Sequence, residues 1–266
     1  MSFPVLWLYG PSGVGKTTTA RAIYTRLSEE DVPVACVDLD QIALMYPAPR
    51  WVRPAHVAGV AAVFRAAGAG CLIVSGIGED SAIVTECAAG IPGASLTVAR
   101  LRVEPGVLRE RFLARGWRPD LLEDALSDAA AYDEAGFGDL LVDGDAPLEE
   151  VARKSSVGWP GIVAGTGPVP AESEVDSGRA GIPVTWFTKD GPDLAPGGWT
   201  LFEGVRAKEP AAYVDLTQVG RCSAGDPAWI LRRNLGVLRA GYARAGAARL
   251  VVAGTAEEIA TVGGGQ

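Results

Sequence analysis

The residues best suited to chemistry lie in one glycine-rich stretch near the amino terminus. Gly10-Pro-Ser-Gly-Val-Gly-Lys16-Thr17 has the spacing GxxxxGK[ST], directly after an apolar run and directly before a helical pattern. Glycines let successive backbone amides turn inward around phosphate oxygens, and the start of a helix adds partial positive charge. In such a loop the lysine reaches the β- and γ-phosphates and the threonine hydroxyl binds Mg²⁺. The stretch predicts a site for a nucleoside triphosphate with magnesium. The predicted contacts are Gly10, Ser12, Gly13, Val14, Gly15, Lys16, Thr17 and Thr18.

A second candidate group is the acidic turn "VDLDQI", about twenty residues further along the chain. Asp38 and Asp40 stand two residues apart at the end of an apolar run, so both carboxylates can face the same cleft. One acid can hold Mg²⁺ through water while the other accepts the proton of a substrate hydroxyl, and the sequence leaves open which does which. The alternative is that one of them only caps the following helix.

The first 154 residues predict a scaffold that brings these groups together. Short apolar runs alternate with longer helical patterns, which favours a parallel sheet flanked by helices. The predicted strands are 5–9, 34–39, 71–75, 95–101 and 140–142, and the predicted helices are 17–28, 56–67, 104–115 and 148–154. Ligands on such sheets bind beyond the carboxyl ends of the strands, where 10–17, 38–41 and 76–80 all fall. We predict an α/β fold of the P-loop NTPase type in which these segments meet.

The motifs resemble the small-molecule kinases of the P-loop superfamily, of the adenylylsulfate, shikimate and gluconate kinase type. The likeness is carried by "GPSGVGKTT", "VDLDQI" and "AAVFRAAGAGCLIVSGIGED", and it covers roughly residues 3–155. It implies that Asp38 and Asp40 make magnesium and acceptor contacts, with Thr17 and Asp38 as the metal residues. It also implies that Gly76 and Gly78 let the backbone approach the acceptor.

The same resemblance implies a mobile lid over "RERFLARGWRP". Arg115 and Arg118 flank Gly116 there, and a lid arginine neutralises charge that develops on the transferred phosphoryl group. The alternative is a solvated arginine face on a surface helix. Arg53 is the candidate for the arginine that precedes the long helix of these kinases, and the proline-rich stretch around it suggests Tyr46 and Trp51 as further acceptor contacts.

Composition narrows the class of protein. The net charge of −8 among 266 residues argues against a general nucleic-acid binder, which needs a basic face. The four cysteines lack metal-ligand spacing, and the single histidine, His56, is interpreted as a surface or capping residue. There is no apolar run long enough for a bilayer and no secretion signal at the amino terminus, so we expect a cytoplasmic protein without membrane contacts. Abundant alanine, glycine and arginine are typical of a GC-rich bacterial genome.

The rest of the chain is predicted to be a linker, 155–181, followed by a degenerate copy of the first domain, 182–266. "PVTWF" resembles "PVLWL", "AAYVDLTQVG" resembles "VACVDLDQIA", and residues 234–254 align without gaps on 56–76. The copy has lost the Gly-Lys-Thr ending, carries Asp190 and Asp193 at the loop position, and has Thr217 in place of Asp40. We therefore expect it to bind no nucleotide and to pack on the first domain or on another subunit, which leaves the oligomeric state open.

The leading functional hypothesis is an ATP-dependent kinase of a small metabolite, with ATP and Mg²⁺ as cofactors. Catalysis would rest on Lys16, Asp38, Asp40, Arg115 and Arg118, and acceptor binding on Asp40, Arg53, Gly76 and Gly78. The alternatives are a nucleoside or nucleotide kinase and a non-enzymatic ATP-binding switch or scaffold. The sequence does not identify the acceptor.

Overall fold

The structure is a computed structural model, which describes residues 2–76, 81–116, 118–163, 181–190 and 196–263. Its strands, in chain order, are β1 (Phe3–Tyr9), β2 (Val34–Asp38), β3 (Met45–Tyr46), β4 (Cys71–Ser75), β5 (Ala94–Arg102), β6 (Leu140–Asp143), β7 (Val184–Thr188), β8 (Ala211–Asp215) and β9 (Arg249–Gly254). Among them, five parallel strands form one sheet in the order β2-β4-β1-β5-β6, and four form a second sheet in the order β3-β8-β9-β7. The predicted fold, a P-loop-type parallel sheet with a smaller α/β unit, is confirmed.

Helices connect the strands and cover both sheets. They are α1 (Lys16–Glu29), α2 (Leu39–Ile42), α3 (Val52–Ala66), α4 (Ser81–Ala89), α5 (Pro105–Ala114), α6 (Leu122–Ala135), α7 (Leu148–Ser155), α8 (Pro196–Arg206), α9 (Pro227–Arg244) and α10 (Ala256–Gly263). None of the helices described here is long and apolar enough to cross a membrane.

The strand β1 is apolar throughout because it lies in the middle of the sheet with helices on both faces. Its side chains alternate between two hydrophobic clusters. Val5 and Trp7 pack in the cluster that includes α3 and α4, whereas Leu6 and Leu8 pack in the cluster that includes α1 and α7. The sheet is therefore held firmly where its carboxyl ends present the glycine-rich loop and the acidic turn.

The two sheets exchange short pieces of chain. Met45 in β3 pairs antiparallel with Ala212 in β8, and Cys222 forms an antiparallel bridge with Ala35 in β2. Met45 and Cys222 are 177 residues apart, and so are Ala35 and Ala212. Each half thus extends the sheet of the other at an equivalent position, as in the isologous interface of a symmetric dimer.

The helices α3 and α9 pack against each other across the same interface. A Cβ at Gly59 would clash with Cγ1 of Val237, so the close approach of the two helices depends on the absence of a side chain there. One hydrophobic cluster runs through both halves, with Phe64 of α3 and Leu238 of α9 among its members. The second half therefore packs on the first domain, as one of the two sequence alternatives proposed.

Several elements differ from the sequence expectation. The helices α4 and α6 were not predicted, and α3 begins at Val52, four residues earlier than expected, because Pro54 is tolerated in a first turn where its missing amide is not needed. Residues 155–163, expected to begin the linker, comprise the last residue of α7, a turn and the 3₁₀ helix Pro160–Val163. Trp159 in this segment is 2% exposed and packs in the cluster around α1. The expectation of a surface or capping His56 was wrong, because the ring is 1% exposed and lies edge-on to Tyr242 between α3 and α9.

Candidate functional site

The glycine-rich loop lies between β1 and α1, with its three glycines in conformations that side chains rarely adopt. The φ angles of Gly10, Gly13 and Gly15 are 144°, 89° and 107°. A Cβ at Gly10 would lie 2.6 Å from the carbonyl oxygen of Leu101, so the loop could not sit this close to β5 with any other residue. The first helical residue of α1 is Lys16, which leaves the helix N-terminus facing the loop.

Lys16 is 6% exposed, and its side chain folds back over the loop. Its Nζ donates hydrogen bonds of 2.8 Å to the carbonyl oxygens of Gly10 and Pro11. Burial lowers the pKa of Lys16, and the neighbouring carboxylates of Asp40 and Asp38 act in the opposite direction. The present hydrogen bonds of this buried ammonium go to neutral carbonyl oxygens. An anion in the loop would supply the negative charge that these acceptors lack.

Asp38 is the point at which the acidic turn meets the loop. Its Oδ2 accepts hydrogen bonds from the hydroxyls of Thr17, at 2.6 Å, and Ser75, at 3.2 Å. Its Oδ1 accepts one from the backbone amide of Asp40 at 2.9 Å, so the same carboxylate also caps α2. Asp38 therefore caps α2 with one carboxylate oxygen, and the proposed magnesium role falls on its other oxygen. The hydroxyl of Thr17 and the carboxylate of Asp38 are oxygen donors of the kind that Mg²⁺ prefers.

The chain after β4 approaches this turn closely. Gly76 has a φ of 150°, and a Cβ there would lie 2.5 Å from Cβ of Leu39, the residue between the two aspartates. The predicted close approach at Gly76 is thus directed at the acidic turn. Gly78 lies outside the described residues.

A cleft of about 480 Å³ opens above the loop. It is lined by residues of the loop and of α1, by the acidic turn, by two arginines of the α5 region and by an apolar wall from the start of α7. Of the residues predicted from the sequence, those that line it are Ser12, Gly13, Val14, Gly15, Lys16, Thr17, Thr18, Asp40 and Arg115.

The arginines around the predicted lid differ in position. Arg115 donates a hydrogen bond of 3.1 Å to the hydroxyl of Ser12 in the loop, and its guanidinium lies at the cleft. Arg118 instead makes a two-pronged ion pair with Asp120, with distances of 2.8 to 3.1 Å. In this arrangement Arg115 contacts the loop and Arg118 does not, and the role of both in catalysis stays a prediction.

Arg111 also lines the cleft. It lies 3.5 Å from the carboxylate of Asp145 and donates to the backbone of Val14. Ala146 and Leu148 line the same cleft and supply apolar surface. A cleft that contains both a planar guanidinium and apolar side chains is a suitable environment for an aromatic base.

The helix α6 contributes an acidic residue near Lys16 that the sequence analysis did not predict. The charge of Asp128 acts on the ammonium of Lys16, and the pKa of Asp128 is raised, first by burial and then by the neighbouring Asp124. Tyr132, one turn further along, packs against Tyr9 at the end of β1 in a tilted arrangement, with ring centroids 4.6 Å apart. Apolar residues at 122, 125, 126 and 129 have helical spacing, and this pattern could have revealed α6.

The remaining predicted acceptor residues lie further from the loop. Arg53 stands in the first turn of α3 and is not among the described residues that line the cleft. Tyr46 pairs with β8, and the guanidinium of Arg206 lies 5.0 Å from its ring centroid. Tyr46 therefore belongs to the interface between the halves, because β3, the strand that contains it, pairs with the edge of β8.

In the second half, a lysine stands against the counterpart of Asp38. Nζ of Lys189 lies 2.7 Å from both carboxylate oxygens of Asp215 and 3.1 Å from Oγ1 of Thr217. The two charged side chains are 2% and 0% exposed. An internal ammonium thus neutralises the buried acid, which supports the expectation that this half binds no nucleotide.

The sheet order, the loop conformation and the contact of Thr17 with Asp38 define a P-loop domain of the nucleoside-triphosphate-binding class. Residues 6–74 match the ATPase family associated with various cellular activities (AAA), which implies nucleotide binding. No curated protein matches the chain.

Solved structures of several kinases resemble the chain over about three-fifths of its length. A sugar kinase from a Janibacter species is 19% identical, covering 61% of this chain and 96% of its own, with a TM-score of 0.46. A gluconokinase from Sinorhizobium meliloti is 22% identical over 61% and 93%, with a TM-score of 0.41. A shikimate kinase from Bacteroides thetaiotaomicron is 20% identical over 57% and 96%, with a TM-score of 0.35.

Proposed function

We propose that the chain is an ATP-dependent phosphotransferase that transfers the γ-phosphate to a hydroxyl of a small molecule. The observation that carries the proposal is the placement of Asp40 at the same cleft as Lys16 and the phosphate loop. A switch needs the loop and a magnesium acid, but a second acid facing the phosphates is what proton removal from an acceptor requires.

In this proposal the loop amides and Lys16 hold the phosphates and stabilise the charge that shifts toward the bridging oxygen. Asp40 accepts the proton of the acceptor hydroxyl as its oxygen forms the new P–O bond. The bond between the γ-phosphorus and the β,γ-bridging oxygen breaks at the same time, and ADP leaves with that oxygen. Arg115, which already contacts the loop, stabilises the equatorial oxygens of the transferred group. Arg111 and the wall formed by Ala146 and Leu148 bind the base. Thr17 and Asp38 would hold Mg²⁺, which neutralises phosphate charge when bound.

A panel of small-molecule acceptors, scored by ATP consumption, tests the proposal. Lys16→Ala should abolish turnover while circular dichroism remains unchanged, because Lys16 binds the loop and not the core. Asp40→Asn should lower kcat by about 10²- to 10⁴-fold, as expected for loss of a general base. Turnover that survives Lys16→Ala would place the active site elsewhere. Magnesium-ATP binding without any acceptor-dependent turnover would instead favour a switch.

A further inference from the structure

The second half contacts the phosphate-loop helix through a buried glutamine. Nη2 of Arg21 in α1 donates a hydrogen bond of 2.8 Å to Oε1 of Gln218. Arg21 follows Thr17 by one helical turn, so both side chains lie on the same face of α1. Gln218 is 4% exposed and lies in the 3₁₀ turn Leu216–Gln218 that follows β8.

Gln218 is itself held by the buried ion pair of the second half. Its Nε2 donates to Oγ1 of Thr217 at 2.9 Å, and this hydroxyl donates to the carboxylate of Asp215 at 2.7 Å. Lys189 binds both Asp215 and Thr217. A continuous chain of hydrogen bonds therefore runs from the core of the second half to α1.

The hydrogen bond between Arg21 and Gln218 lies next to the predicted magnesium residues. A cavity of about 10 Å³, the size of one water molecule, is lined by Thr17, Arg21 and Asp38 from the first half and by Gln218 and Arg221 from the second. Any rotation of α1 that moved Arg21 would also move Thr17, which is 2.6 Å from Asp38. The second half therefore lies where it can set the geometry of that pair.

We propose that Gln218 is a positioning residue for the nucleotide site. By binding Arg21, it fixes the rotation of α1 and so keeps the hydroxyl of Thr17 against Asp38 in the arrangement that receives the magnesium ion of magnesium-ATP. The proposal rests on the proposed function, because it takes magnesium-ATP as the ligand. It gives the degenerate half a task at the site of the intact one.

The test is isothermal calorimetry on the full chain with magnesium-ATP and with ATP in the presence of a chelator. Gln218→Met and Arg21→Met should each raise the Kd for magnesium-ATP about fivefold, and the double variant should bind no more weakly than either single variant, because both remove the same contact. The Kd for ATP without magnesium should change less than twofold, since the affected pair is the predicted metal site. Gln218→Glu keeps an acceptor oxygen for Arg21 and should bind magnesium-ATP nearly as wild type does.

Ser223→Ala is the matched control. Oγ of Ser223 accepts from the amide of Val34 and donates to the carbonyl of Val32, at 2.9 and 2.8 Å, so this change also removes contacts between the halves, but at the start of β2. It should leave the Kd for magnesium-ATP unchanged.

Equal effects of Ser223→Ala and Gln218→Met would mean a purely structural interface and would overturn the proposal, as would wild-type affinity in Gln218→Met. A wild-type chain that ignores magnesium-ATP overturns the proposed function and this proposal with it. Wild-type binding with unaffected variants overturns this proposal alone.

Discussion

Removal of the Lys189 ammonium should strongly destabilise the protein. The side chains of Lys189 and Asp215 are 2% and 0% exposed, and the Nζ–Oδ distances are 2.7 Å, so Lys189→Met leaves a carboxylate charge deep in the second half. The hydroxyl of Thr217 still donates to that carboxylate, but one hydrogen bond does not replace a full positive charge. Breaking one partner of a buried pair costs about 3–5 kcal/mol. For a chain of this size that corresponds to a fall in Tm of roughly 6–20 °C.

Urea unfolding followed by circular dichroism measures this loss, and two variants calibrate it. Lys154→Met breaks an exposed pair with Glu150, whose side chains are 43% and 41% exposed at 2.7 Å, and should cost no more than about 0.5 kcal/mol. The double variant Lys189→Met, Asp215→Leu removes both buried charges and should recover most of the loss, because no uncompensated charge remains. The reasoning is refuted if Lys189→Met is as mild as Lys154→Met, or if the double variant is as unstable as the single one.

Two further predictions concern Gly76 and His56. Gly76→Ala places a Cβ 2.5 Å from Leu39 and should lower the free energy of unfolding by about 1–3 kcal/mol and weaken magnesium-ATP binding in calorimetry. The control Gly106→Ala has open space around it and should be neutral or slightly stabilising. Equal effects of the two substitutions would contradict the close approach of Gly76 to Leu39. Burial lowers the pKa of His56 from 6.5 to about 4. Between these pH values the unfolded chain binds a proton that the folded chain does not, so the free energy of unfolding falls as the pH drops from 6.5 to 4. The difference should reach about 3 kcal/mol in urea titrations and be absent in His56→Phe; an identical pH profile for that variant would contradict the assigned pKa.

The sequence predicted the parts of the site that depend on local chain geometry. The loop from Gly10 to Thr17 and the acidic turn at Asp38 follow directly from strands whose burial is visible as continuous apolar runs, so their meeting at one edge of the sheet could be inferred. The carboxylate of Asp128 could not be placed in the same way, because its charge acts on Lys16 from a helix whose position depends on tertiary packing.

Contacts between the halves were beyond the reach of spacing arguments. Tyr46 follows the acidic turn in sequence and was therefore assigned to the acceptor, but the edge of β8 pairs with it. The sequence also does not show which arginine near α5 contacts the loop: Arg115 donates to Ser12, whereas Arg118 pairs with Asp120. Local sequence patterns thus identified the phosphate loop, and contacts between distant parts of the chain determined the positions of the other candidate residues.

The buried ion pair also bears on the hypothesis of an internal duplication. Lys189 stands six residues after Pro183, as Gly10 stands six residues after Pro4, so a lysine takes the place of the first loop glycine in the second half. Its ammonium reaches Asp215, the counterpart of Asp38, and a side chain there is incompatible with a loop that must bring bare backbone close to phosphate. In the present structure the internal cation takes the place of an external one at the turn after β8. Under the proposal that Gln218 positions α1, the buried acid of the second half keeps a structural task, because Asp215 holds Thr217, Thr217 holds Gln218, and Gln218 binds Arg21.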